Sequence, residues 1–154
     1  MSCWVKRTSS ENVPRYISNS WVVLYLYSDF TPRISWRNST GTSDVLNTWA
    51  PGGAIPINTW THICFTIKDG IVKYYKNGTH ISTSDRTQYG TLIHGSLSNG
   101  FGGESLTSKN WVGELSDFRF YCTAISTEDV KSLYNNSAYI DNQGNIYGAM
   151  YEEV

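Results

Sequence analysis

The chain has 154 residues, enough for one domain with one sizeable core, and no stretch approaches the roughly 18 apolar residues that a membrane-spanning helix needs. Its formal net charge of −1, with Lys and Arg scattered instead of striped, provides no basic field for phosphate contacts, so no nucleic-acid partner is expected. Thirteen glycines, eleven tyrosines and six tryptophans among many Ser, Thr and Asn residues, with one helical pattern, favour an all-β sandwich over a bundle or an α/β fold.

Ser2 to Lys6 opens as a strand with no signal peptide before it. A polar loop with Pro14 follows, then W-V-V-L-Y-L-Y from Trp21 to Tyr27. There Val22, Leu24 and Leu26 share one face and Trp21, Val23, Tyr25 and Tyr27 the other, and the two apolar faces predict a central strand. Pro32 separates it from a short strand, Arg33 to Arg37. Asn38 to Asp44 is a polar turn, and Val45 to Trp49 reads as a further strand. Ala50 to Pro56 is a loop, because proline lacks the amide a central ladder uses and glycine weakens strand order.

From Trp60 to Thr83, three β-rich runs are separated by Asp69-Gly70 and Asn77-Gly78, dipeptides that tolerate the positive φ angles of a two-residue hairpin turn. This predicts an antiparallel meander. In its first strand Ile63, Phe65 and Ile67 alternate with His62, Cys64 and Thr66, so one face packs a core and the other meets a second environment. Beyond Thr83 the chain is polar until Thr91 to His94. The glycines around Phe101 form a turn, without the Gly-Lys-Ser/Thr ending of a phosphate cradle.

Trp111 to Tyr121 restores the period of two. Leu115 and Val112 are inward candidates, Phe118 and Phe120 share a face, and Asp117 and Arg119 share the other and are placed to form an ion pair. The period then becomes helical. Ser126 is the N-cap, Glu128 and Asp129 suit the first turn, and Val130, Leu133 and Tyr134 form a stripe that closes one end of the sandwich. Asp141 to Gly144 is a turn and Ile146 to Tyr151 a last strand. Residues 1–137 thus form the domain, and 138–154 an extension packed on it or used in assembly. Cys3, Cys64 and Cys122 are too few and too far apart for a disulfide scaffold or a zinc site. They read as free thiols, with a single Cys3–Cys64 bridge as the alternative.

Two separated signatures coincide: W-x-H-x-x-F-T, Asp-Gly and Y-x-x-N-G between Trp60 and Gly78, then G-x-L-x-D-F-R-F-Y and A-I-S-x-x-D-V-x-x-L-Y between Gly113 and Tyr134. Together with Ser2 to Lys6 they resemble the laminin-G-like, concanavalin A-like jelly-roll family over nearly the whole chain. The resemblance implies two curved antiparallel sheets whose concave face and rim loops bind glycans or proteins in many members. It assigns structural roles to Trp60, His62, Gly70, Asn77, Gly78, Gly113 and Asp117. Members generally carry a strand before the one resembling Ser2 to Lys6. The chain is then a fragment, uses its tail strand there, or shares a strand with a neighbouring copy. Ser116-Asp117 stands where many relatives have two acidic residues, which weakens a calcium site without removing calcium from consideration. The chain also looks like jelly rolls of bacteriophage virion proteins, implying a virion-surface or extracellular setting.

For a glycan ligand, an aromatic ring must meet a pyranose face beside groups that fix hydroxyls. Trp36 with Arg37, and Trp49 with Asp44 and Asn47, lie at polar loops and rank first, with Tyr89 behind. Each of these tryptophans also has a strong claim as core filling. Catalysis is not expected: Glu114 and Asp117 fall on opposite faces of their strand, Glu152 and Glu153 are a terminal pair, and no nucleophile elbow occurs. A purely structural assembly domain is the competing reading.

Overall fold

The computed structural model describes residues 1–11, 15–19, 22–36, 53–89, 100–101, 110–136, 139–140 and 146–147. One antiparallel sheet is ordered β7 (Thr79–Asp85), β6 (Ile71–Lys76), β5 (Thr61–Lys68), β1 (Ser2–Arg7), β9 (Gly113–Arg119). The other is ordered β4 (Pro32–Trp36), β3 (Val22–Leu26), β2 (Arg15–Asn19), β8 (Gly100–Phe101). The chain crosses between sheets after β1, β4, β7 and β8, the interleaving of a jelly roll. One helix, α1 (Thr127–Asn136), follows. Strands β10 (Tyr139–Ile140) and β11 (Ile146–Tyr147) pair with each other and, among the described residues, with neither sheet.

The meander forms as its turns dictate. Lys68 pairs with Ile71 and Lys76 with Thr79, and both turn residues have positive φ: 49° and 77° at Asp69 and Gly70, 50° and 73° at Asn77 and Gly78. Between the sheets, Cys3 and Val5 of β1, Ile63 and Phe65 of β5 and Val72 and Tyr74 of β6 meet Leu24, Leu26 and Ile34 of the second sheet. The Phe65 and Tyr74 rings stack at 4.8 Å, and the Tyr74 hydroxyl donates to the Gly53 carbonyl, so its polar end is satisfied in the core.

The opposite face of the five-stranded sheet is covered too. Val130 of α1 packs on Cys64 and Tyr75, and the Tyr134 ring lies 5.6 Å from that of Trp4 and 6.0 Å from that of His62. The helix therefore lies on the outer sheet face instead of closing an end of the sandwich, because its apolar stripe fits the apolar outward residues of β1, β5 and β6. Fully burying Val130 contributes about 1.5–3 kcal/mol. The Ser126 hydroxyl accepts from the Asp129 amide while Asp129 accepts from the Ser126 amide, a reciprocal cap that starts the helix where the sequence predicts.

Cys3 and Cys64 are free and buried on opposite faces of the sheet, one in the inter-sheet core and one beneath α1, which rules out a bridge between them. Cys122 is free and exposed.

Other expectations are corrected. Arg15–Asn19, read as loop, is a strand paired with β3, and Gly100–Phe101, read as turn, pairs with β2. Pro32 opens β4 instead of preceding it, a position where the missing amide is tolerated. In β9 the register to β1 shifts between Ser2 and Trp4, and Asp117 takes a φ of 48°, so a bulge interrupts the alternation. Leu115 and Phe118 both pack on the core as a result, while Val112 and Phe120 are exposed. The predicted strand at Val45 to Trp49 lies outside the described residues.

Strand β9 opens at Gly113, where a Cβ would collide with the Lys6 carbonyl oxygen. Gly113→Ala is expected to force β9 off β1 and to lower unfolding stability by more than about 2 kcal/mol. Urea denaturation checks this; an unchanged midpoint would show that the strand pair spreads without cost.

Candidate functional site

The residues expected to be structural sit at junctions of the sandwich. Asn77 extends the β5–β6 ladder past its turn, its side-chain oxygen accepting from the His62 amide at 3.0 Å and its own amide donating to the His62 carbonyl at 2.9 Å. A Cβ on Gly78 would press on the Tyr134 ring at 3.1 Å. The ammonium of Lys6 lies 5.9 Å from the centre of the Trp60 ring. Asp117 accepts from Arg119 Nε at 2.6 Å, forming the ion pair that their spacing predicts.

Of the candidate ligand residues, Trp36 ends β4 opposite Val22, and Tyr89 ends a 3₁₀ turn, Thr87–Tyr89. Arg37, Asp44, Asn47 and Trp49 lie outside the described residues. Among the described residues no group of three or more His, Cys, Asp or Glu side chains is placed to hold a metal ion. No helix among them is long and apolar enough to cross a membrane.

The described residues form instead a rim at the far end of β3 from Val22. Tyr27, Ile57 and Val112 are three of the exposed large hydrophobics, at 38%, 40% and 40%. Ile57 and Val112 lie next to the strand end that carries Arg7. Its guanidinium lies 3.9 Å from the centre of the Phe30 ring and donates to the carbonyls of Ile55 and Ser9. Ile57 bridges to Arg7, and the Thr8 amide donates to the Val112 carbonyl. Arg7, Ser9, Glu11, Leu26, Phe30, Trp111 and Val112 line a shallow cleft there.

The β3–β4 hairpin forms one wall. Phe30 takes a positive φ of 61°, the Tyr27 amide donates to the Thr31 carbonyl, and the Phe30 amide donates to the Tyr27 carbonyl. Asp29 Oδ1 accepts from both the amide and hydroxyl of Thr31. Partial burial works the other way, but these bonds and the nearby Arg33 charge hold the Asp29 carboxyl below its ordinary range. The Arg33 guanidinium lies 3.6 Å from the centre of the Tyr27 ring. Sequence reading missed this cluster. Its signal was Asp29 two residues before Thr31, the pattern of a side chain bonding back to its own turn.

Residues 1–131 match the family model Laminin_G_3, described as the concanavalin A-like lectin/glucanases superfamily. The chain belongs to this superfamily. Solved structures share its fold. The binding domain of Paraclostridial mosquitocidal protein 1 superposes with a TM-score of 0.67 at 20% identity, over 87% of this chain and 36% of that one. Domain 4 of AbnA, an extracellular arabinanase from Geobacillus stearothermophilus, solved with arabinotriose, gives 0.66 at 21%, over 86% and 64%. The CBM40 domain of the Ruminococcus gnavus IT-sialidase gives 0.64 at 15%, over 86% and 80%. The chain spans less than two thirds of the first two, and at these identities the likeness is one of fold. No curated protein sequence matches it.

Within this superfamily fold His62 is a packing residue. It is 1% exposed, 5.4 Å from the Trp4 ring, and its Nδ1 is buried without a partner. Burial is the main cause of a pKa lowered from 6.5 to about 4; Asp117 raises it and Arg119 lowers it by smaller amounts. Between these values the unfolded chain binds a proton that the folded chain does not. Stability is therefore expected to fall as pH drops from about 6.5 to about 4, by up to ~3 kcal/mol. Chemical denaturation of the wild type and His62→Gln across this window measures the effect, and parallel pH slopes would refute it.

Proposed function

We propose that this domain is a non-catalytic recognition module holding a glycan or a partner protein through its rim loops. The observation that supports this most directly is the exposed pair Ile57 and Val112 beside the fixed Arg7–Phe30 stack, with an exposed Tyr27 in the hairpin that carries Phe30. Apolar surface next to oriented donors suits sugar rings and protein side chains alike. The β9 carboxylates are engaged in ion pairs, Glu114 with Lys6 at 2.8 Å and Asp117 with Arg119 at 2.6 Å, instead of flanking a cleft as glycoside hydrolysis requires. A domain crystallised with arabinotriose and a toxin binding domain share the fold.

In this reading Trp36, Arg37, Asp44, Asn47, Trp49 and Tyr89 supply stacking and hydrogen bonds from further loops. Its setting is the exterior of a cell or virion. A bacteriophage virion is the narrower form, and gene neighbours encoding secretion and matrix proteins, with no capsid or tail genes among them, would count against it. Assembly is the second reading, favoured by the β10–β11 strand pair, which among the described residues pairs with itself and with neither sheet.

A glycan array with and without calcium, repeated for Trp36→Ala and Trp49→Ala, separates the two. Recognition predicts binding that falls by about tenfold or more in at least one variant. Assembly predicts no glycan binding, and a defined oligomer that is lost when residues 139–154 are deleted.

A further inference from the structure

The β3–β4 hairpin holds more chemistry than its turn requires. We propose that Tyr27, Asp29 and Arg33 form a calcium-independent subsite for the vicinal diol of a neutral sugar, an inference that rests on the recognition reading above. The Arg33 side chain is 15% exposed and that of Asp29 44% exposed. Asp29 Oδ1 is occupied by Thr31, which fixes the carboxylate plane. Its Oδ2 stands 3.4 Å from Arg33 Nη2, too long for a strong charge-assisted bond.

A two-pronged Arg–carboxylate pair would occupy both groups. This one does not. Arg33 Nε is buried without a partner, so stacking on Tyr27, at 3.6 Å, holds the guanidinium in place and leaves its outer N–H groups for an incoming acceptor. Asp29 Oδ2 accepts one sugar hydroxyl, Arg33 donates to its neighbour, and the exposed part of the Tyr27 ring meets the apolar face of the sugar.

The hairpin is set in this shape without ligand. The Phe30 carbonyl accepts from the Ile55 amide at 2.9 Å and its ring is covered by Arg7, so little ordering entropy remains to be lost on binding. The same arrangement disfavours acidic sugars, since a ligand carboxylate would face Asp29 and find the Arg33 charge already partly offset.

The test is titration of the intact chain in EDTA with neutral oligosaccharides and with their sialylated or uronic counterparts, repeated for Tyr27→Ala and Arg33→Lys. The expected result is calcium-free binding of neutral sugars in preference to acidic ones, about tenfold or more weaker in each variant. Arg33→Lys keeps the charge and loses the planar fork, so it distinguishes diol recognition from general electrostatics. If a variant fails to fold by thermal melt, amide shift mapping of the wild type decides: perturbations centred on residues 27–33 support the subsite, and perturbations confined elsewhere overturn it. Undiminished binding by both folded variants, or a preference for acidic sugars, would overturn the subsite while recognition stands. A wild type that binds no sugar would overturn the subsite together with the glycan form of the recognition reading.

Discussion

Strand β5 has no solvent face from Thr61 to Thr66, and that two-sided burial organises the molecule. Ile63 and Phe65 must find apolar partners across the sandwich, which the second sheet supplies with Leu24, Leu26 and Ile34. His62 and Cys64 point the other way and would leave Trp4 and Tyr75 in water if nothing covered them. Helix α1 meets that need with Val130 and Tyr134, and the Tyr75 hydroxyl lies 3.1 Å from Thr127 Oγ1, tying the sheet to the first turn of the helix. Enclosure also fixes charge states: burial keeps His62 neutral and pushes the Cys64 thiol up to about 11. The helix is thus part of the core of a sandwich whose central sheet is covered on both faces.

The proposed recognition role falls to loops and rims, and the covered sheet holds one rim in place. Lys76 Nζ reaches the Ala54 carbonyl at 2.9 Å and the Tyr74 hydroxyl the Gly53 carbonyl at 3.1 Å, so the segment entering β5 is tied to β6. Arg7 then joins Ile55 to β1, and the Ile55 amide joins that segment to Phe30 in the other sheet. A chain of side-chain and main-chain bonds therefore runs from the meander to the β3–β4 hairpin. The exposed rings on that rim belong to a fixed surface, which lowers the entropic cost of binding.

What the sequence made legible was local chemistry. Asp69-Gly70 and Asn77-Gly78 specify their turns through positive φ, Ser126 and Asp129 cap their helix, and the alternation in β5 identifies its two faces. Features that depend on a distant partner were hidden. Arg-Tyr-Ile-Ser-Asn is too polar to announce a strand and becomes one by pairing with β3. The β9 bulge arises from its register with β1 and brings Leu115 and Phe118 to the same core, which alternation does not foresee, and Val112, expected inward, is exposed. The Tyr27–Arg33 stack requires a hairpin that pairs Leu26 with Pro32; without that register the two residues have no reason to meet. The ligand residues chosen from sequence were tryptophans beside polar loops, whereas the rim described here is built around arginines stacked on Tyr27 and Phe30.

The bulge also bears on calcium. In β9 it places Asp117 in a left-handed conformation and directs its carboxylate to Arg119 at 2.6 Å. A divalent ion at this position would have to displace a guanidinium, and Ser116 contributes no charge to assist it. On the opposite rim Asp29 has one oxygen engaged by Thr31 and the other facing Arg33. Each of these carboxylates faces a cation that the chain itself provides. Arginine thus stands beside each of these acids, and the charge it contributes does not depend on ion concentration. The selectivity differs as well: an arginine–carboxylate pair offers both a donor and an acceptor, which matches a neutral diol better than it matches an anion.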